Sequence, residues 1–166
     1  MLLTIVQIFQ VIYSCYIMFL NKKKHMLINM FLSNAISLIM FFIADLKSAL
    51  LTTIIITIRS FLFMFRDKYK TNLIFYFCLI LHILSGIITF DGFISLLPML
   101  TAVISVFIIW FGNEQQIRFG LIIPNTIWVI YYCIFGLYIS AVFNITVIIS
   151  QIISYIKNNK KDFVNT

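Results

Sequence analysis

Seven apolar stretches, each 18 to 20 residues long, follow one another along this chain with only a few polar residues between them. They cover residues 2–20, 26–44, 48–65, 72–90, 93–111, 117–135 and 137–156. A helix rises about 1.5 Å per residue, so each stretch can cross a hydrocarbon core roughly 30 Å thick. A barrel strand would need only about 10 residues and would alternate apolar with polar positions. The expected fold class is therefore an all-α polytopic membrane protein with seven transmembrane helices. Only 10% of the residues are charged, against about 25% in soluble domains.

The net charge of +7 is unevenly placed. The loops after the odd-numbered spans and the tail hold Lys22, Lys23, Lys24, Arg66, Lys68, Lys70, Arg118, Lys157, Lys160 and Lys161 against Asp67, Glu114 and Asp162. The opposite side holds Lys47 against Asp45 and Asp91. The positive-inside rule then puts the N-terminus outside and the C-terminus in the cytoplasm. The first span has no basic residue before it and no small-residue cleavage pattern, so it is expected to stay as a helix rather than leave as a signal peptide. The basic tail, 157–166, is expected to lie near anionic lipid, largely disordered. Nucleic acid is not an expected partner, because no basic stripe lies on a polar face and the aromatics are mostly Phe inside apolar runs.

Shifting the first three spans by about 91 to 92 residues lays them on the last three. Asn34 then meets Asn125, Ser48–Ala49 meets Ser140–Ala141, Phe41 meets Tyr132, Phe19 and Asn21 meet Phe111 and Asn113, and Lys68 meets Lys160. Two three-helix units in direct succession would point in opposite directions, because three is odd. The fourth span, 72–90, restores a parallel pair. The expected plan is one membrane domain over residues 1–166, with repeats at 2–66 and 93–156 around a linker helix. Parallel repeats about an axis along the membrane normal are a known transporter design. A solute route would then run between the repeats.

The ordered run Leu46–Lys47–Ser48–Ala49, Thr57–Ile58–Arg59–Ser60, Leu96–Leu97–Pro98 and Trp128–Val129–Ile130 resembles the YgjV-type bacterial inner-membrane protein family over nearly the whole chain. The resemblance implies the bacterial inner membrane as location and brings no established activity. More distantly the chain is similar to the SWEET and PQ-loop group, although the PQ dipeptide is absent. In SWEET-type sugar carriers, polar residues of the third and seventh helices and an aromatic of the sixth line the pocket. That similarity implies Thr52 or Thr53, Asn144 and Trp128 as the matching positions.

Polar residues within the spans are the candidate site. Asn34, Asn125 and Asn144 offer donors and acceptors together, which suits hydroxylated or zwitterionic solutes, yet an Asn can equally join helices to one another. Arg59 reads as an anchor reaching the headgroups, as a clamp between helices, or as a gate or anionic-ligand contact facing the bundle. Its partner at +92 is Gln151, which favours an inward position for both. Pro98 and Pro124 are expected to interrupt spanning helices. Gly86, Gly120 and Gly136 are expected to be packing contacts. Tyr131, Tyr132 and Tyr138 read as an interfacial aromatic belt.

Cys15, Cys78 and Cys133 lie inside spans and are expected to pack rather than pair, and no metal-ligand spacing or cofactor motif is present. Cys78 and His82 lie four apart on one helix face, the starting point for a membrane peptidase, but no third group orients the histidine. No Asp or Glu falls within a span, so transport would be passive rather than ion-coupled. The sequence thus points to a non-enzymatic small passive transporter or semi-transporter of a polar uncharged or zwitterionic, sugar-like metabolite, with lipid around it and a homo-oligomer left open. A non-transporting membrane partner or assembly protein is the alternative, and a Cys/His peptidase the third.

Overall fold

The computed structural model describes residues 2–20, 22–65 and 72–164, without the side chains of residues 2, 3, 11, 15, 18 and 158–164. Asn21, the charged loop holding Arg66, Asp67, Lys68 and Lys70, and the side chains of Cys15, Lys160, Lys161 and Asp162 therefore lie outside the described residues. Among the described residues eight α-helices run in order: α1 (Leu2–Met18), α2 (Lys23–Ile43), α3 (Lys47–Phe63), α4 (Leu73–Ile88), α5 (Leu97–Phe111), α6 (Glu114–Gly120), α7 (Ile122–Ile134) and α8 (Tyr138–Val164). A 3-10 turn, Phe93–Leu96, leads into α5. No strand occurs among the described residues.

Four helical segments are long and apolar enough to cross a membrane: Lys23–Ile43, Phe93–Phe111, Glu114–Ile134 and Tyr138–Lys157. The remaining helices α1, α3 and α4 run for 17, 17 and 16 residues. Large apolar side chains cover the outside, with Phe93, Leu73, Phe42 and Ile88 all exposed, while Arg59, Arg118, His82 and Gln151 are buried. That inversion is stable only where lipid replaces water as the solvent for the outer surface.

Six helical rods close a ring. α1 packs on α2, α2 on α3, α3 on α5, α5 on α7, α7 on α8, and α8 returns to α1. α4 packs outside the ring against α3 and α5. The turns repeat as well. After α2, Asp45 N–H donates to the Phe42 carbonyl and Leu46 N–H to that of Phe41; after α7, Gly136 N–H donates to Cys133 and Leu137 N–H to Tyr132. Each set is a Schellman motif, which needs its C′ residue in the left-handed region. Asp45 (φ 52°) and Gly136 (φ 69°) supply it, 91 positions apart. Gly136 has open space where a Cβ would stand, so it is a turn residue rather than the expected packing contact. Gly86 and Gly120 do pack closely, against Met99 and Ile108.

Of three other expectations, two change and one holds. Pro98 falls in the first turn of α5, where its missing N–H breaks no helical bond, so it starts a helix instead of kinking one. Pro124 does interrupt: it cannot donate to the Gly120 carbonyl, and α6 gives way to α7 at Leu121. The tail is not disordered as far as Val164, because α8 continues through it. Neither Gly nor Pro stands between Tyr138 and Val164 to stop the helix.

Candidate functional site

The ring surrounds a half-open cavity of about 140 Å³. Its wall takes residues from α1, α2, α3, α5, α7 and α8, and from the break at Leu121, but none from α4. An apolar cluster lies toward each end. One includes Ile17, Met26, Phe63, Ile109, Trp110 and Ile117; the other includes Met40, Phe41, Ala49, Tyr131, Tyr132 and Ala141.

Most of the wall is built from residue pairs 91 positions apart. Ser14 and Ser105, Asn34 and Asn125, Ser37 and Trp128, Phe41 and Tyr132, Thr53 and Asn144, and Ile56 and Val147 all line it. The expected residues Asn34, Asn125, Trp128, Asn144, Thr53 and Arg59 thus meet at one cavity. Two do not. Thr52 is buried but outside the wall, because a one-residue step turns a helical side chain by about 100°. Gln151 is also buried outside the wall, and neither its Nε2 nor its Oε1 has a partner among the described residues.

Arg59 and Gln151 are both buried, as their +92 pairing favours, although only Arg59 lies on the cavity wall. Buried positions of α3 recur in α8 at +91: Ala49 with Ser140, Ser60 with Gln151, and Phe63 with Ser154. Position 59 then falls opposite Ser150, and the arginine has no polar equivalent of its own size.

The asparagines both join helices and face the cavity. Asn34 Nδ2 donates to Ser60 Oγ at 3.2 Å, and Asn144 Nδ2 donates to the Asn125 backbone carbonyl at 3.3 Å. Each bond uses only part of an amide's hydrogen-bonding capacity. Trp128 stacks on Phe41 (5.4 Å between centroids, 22° between planes) and on Tyr132 (5.6 Å, 25°), giving the cavity a flat aromatic side. Tyr131 and Tyr132 are buried, contrary to the aromatic-belt expectation, because they pack with Met40, Phe41, Ala49 and Ala141 in one apolar cluster. Tyr138 is exposed.

Arg59 is 2% exposed. It faces the bundle and does not reach for the headgroups. Its Nη1 donates to the Ala102 carbonyl at 3.2 Å, and its Cζ lies 5.9 Å from the centre of the Phe63 ring. Cys78 and His82 are buried on α4 outside the cavity wall, and neither ring nitrogen of His82 has a partner among the described residues. No group of three or more His, Cys, Asp or Glu that could hold a metal occurs among the described residues.

Gln10, Ser33 and Ser105 also line the cavity, although sequence reasoning did not single them out. Serine inside a membrane helix often folds back on its own backbone, as Ser37 does on Ser33 and Ser105 on Thr101, so it signals little by itself. The 91-residue offset was the available signal, since Ser14 and Ser105 match under it.

At one end of the ring, Lys23 Nζ donates to the Gly112 carbonyl at 2.8 Å, and Lys23 N–H to Glu114 at 3.3 Å. Arg118 donates to the Leu20 carbonyl at 2.6 Å. The α1–α2 and α5–α6 junctions thus interlock. At the other end, Ser48 and Tyr131 share a hydrogen bond of 3.2 Å.

A lipid-facing apolar exterior around a buried polar interior defines a multi-pass membrane protein. Residues 1–162 match the Imp-YgjV family, described as bacterial inner membrane protein, and the chain belongs to that family. It is a protein of the bacterial inner membrane, in contact with the lipid bilayer. No curated protein and no solved structure matches the chain.

Proposed function

We propose that this protein is a small passive carrier, or half of one, for a polar uncharged or zwitterionic solute. The observation that carries the reading is the polar cavity inside the six-rod ring, walled by matched positions of two three-helix units. The same matching supports seven spans in a 3+1+3 arrangement, with α4 as the linker that makes the units parallel. The helix limits agree with it: α2 begins at Lys23 and ends at Ile43, and the α6–α7 pair begins at Glu114 and ends at Ile134, both 91 positions later. So does the interlock, which gathers Lys23 and Arg118 at one end. That end is assigned to the cytoplasm, with the N-terminus outside.

In this reading Asn34, Asn125, Asn144 and Thr53 contact the solute's polar groups and Trp128 its apolar face. No chemical step is assigned to the chain. With no carboxylate on the cavity wall among the described residues, movement runs down the solute's own gradient. A cavity of about 150 Å³ takes one benzene, so the solute is nearer glycerol in size than a hexose.

The test is solute flux into proteoliposomes carrying the purified protein, across a panel of polyols and amino acids. Saturable flux that is lost in Ser37→Phe, which fills the cavity, supports the reading. Flux that is indifferent to that substitution refutes it. The assembly-protein alternative draws on the Asn34–Ser60 and Asn144–Asn125 bonds, which join helices whether or not a solute binds. It is favoured if no solute crosses while the folded protein co-purifies with a defined partner.

A further inference from the structure

We propose that the ring cavity binds a small organic monocarboxylate through Arg59, an inference that rests on the reading of this cavity as a carrier's solute site and changes the solute from an uncharged one to one that carries a carboxylate. Arg59 lines the wall at 2% exposure, and its Nε is buried with no partner among the described residues. The Ala102 carbonyl and the Phe63 ring are neutral, so they solvate the guanidinium without balancing its charge. No Asp or Glu lines the cavity among the described residues; Asp45, Asp91 and Glu114 stand at helix ends or turns. A buried cation without a counter-charge is among the costliest arrangements in a protein interior. Here it is kept at the wall of a polar cavity.

The wall also selects among anions. Arg59 is the only cation on it among the described residues, which balances one negative charge rather than two. A guanidinium presents its donors as a planar fork that fits a carboxylate with two parallel bonds. The Phe41–Trp128–Tyr132 stack suits a carbon skeleton rather than a halide, and the Asn34, Asn125 and Asn144 amides suit a hydroxyl or amine beside the carboxylate. The volume admits about six heavy atoms, the size of lactate or alanine.

The experiment is thermal unfolding of the purified full-length protein, followed by Trp fluorescence. L-Lactate and L-alanine are compared with lactamide, glycerol, chloride, inorganic phosphate and phosphatidylglycerol micelles. Stabilisation by lactate or alanine but not by lactamide or glycerol is expected. Arg59→Gln should weaken carboxylate binding by at least about tenfold, the effect of losing even one of the two charge-assisted hydrogen bonds. Equal shifts from lactamide and lactate overturn the inference. So does a larger shift from chloride or phosphate, which assigns Arg59 to an inorganic anion, or from phosphatidylglycerol, which assigns it to lipid phosphate. If Arg59→Gln does not fold, the lactate and lactamide comparison on the native protein decides alone. No shift from either carboxylate also overturns the inference, and neutral-solute flux blocked by Ser37→Phe would still sustain the carrier.

Discussion

Trp128→Ala measures how far the aromatic side of the cavity is structural. The indole contacts three rings: Phe41 at 5.4 Å, Tyr131 at 5.5 Å and Tyr132 at 5.6 Å between centroids. Such pairs are worth about 0.5–1.5 kcal/mol each beyond simple burial. Truncating a core Trp costs roughly 3–5 kcal/mol in water-soluble proteins. Two features lower that figure here. One side of the indole already borders empty space, and in lipid or detergent the hydrophobic transfer term largely vanishes, leaving packing to carry stability. The expected loss is therefore about 2–3 kcal/mol, mostly from the three ring contacts. For a chain of this length that lowers Tm by roughly 4–12 °C. Fluorescence-detected or calorimetric unfolding in detergent reads the shift, with Trp128→Phe as a control that keeps most of the stack and should lose under half as much. A fall below about 2 °C in Trp128→Ala would refute the stacked arrangement, since that is at most about 1 kcal/mol, less than three contacts supply even at about 0.5 kcal/mol each.

The matched Schellman turns give a pair of opposite signs. Gly136→Ala should destabilise by about 1 kcal/mol although it meets no atom, because a Cβ is disfavoured at φ 69°. Asp45→Gly should be neutral or stabilise by up to about 1 kcal/mol for the same reason; unfolding midpoints check both, and a destabilising Asp45→Gly would contradict the account. Orientation is read by single cysteines placed in a cysteine-free background and tested in intact cells with a membrane-impermeant maleimide. Lys47→Cys should label from outside and Lys24→Cys only after permeabilisation, and the reverse pattern would invert the topology.

The helices were legible because long apolar runs without alternation leave the backbone one way to satisfy itself in lipid. Their ends were less so. Asp45 ends α2 by adopting a conformation usually left to Gly, which its residue type alone does not announce. Pro98 and Pro124 look alike in the sequence; only the turn preceding α5 separates a helix start from a helix break. The cavity was legible where amide side chains interrupted apolar runs, as Asn34, Asn125 and Asn144 do. It blurred where a helical step of one residue decided the facing, as with Thr52 and Thr53, or where a shift of one residue in the offset put Gln151 opposite Arg59. Register along α8 is fixed by burial of small and polar residues, a property of the packed ring rather than of any local motif.

The break at Leu121 gives the ring unequal mechanical properties. α2 passes its side of the cavity as one continuous rod of 21 residues, whereas the corresponding side is jointed between α6 and α7. Leu121 and Pro124 lie on the wall at that joint, close in sequence to Asn125 and Trp128. A force applied to the cavity from within will therefore bend one wall before the other. Compliance is concentrated at that joint, so the two walls need not yield together.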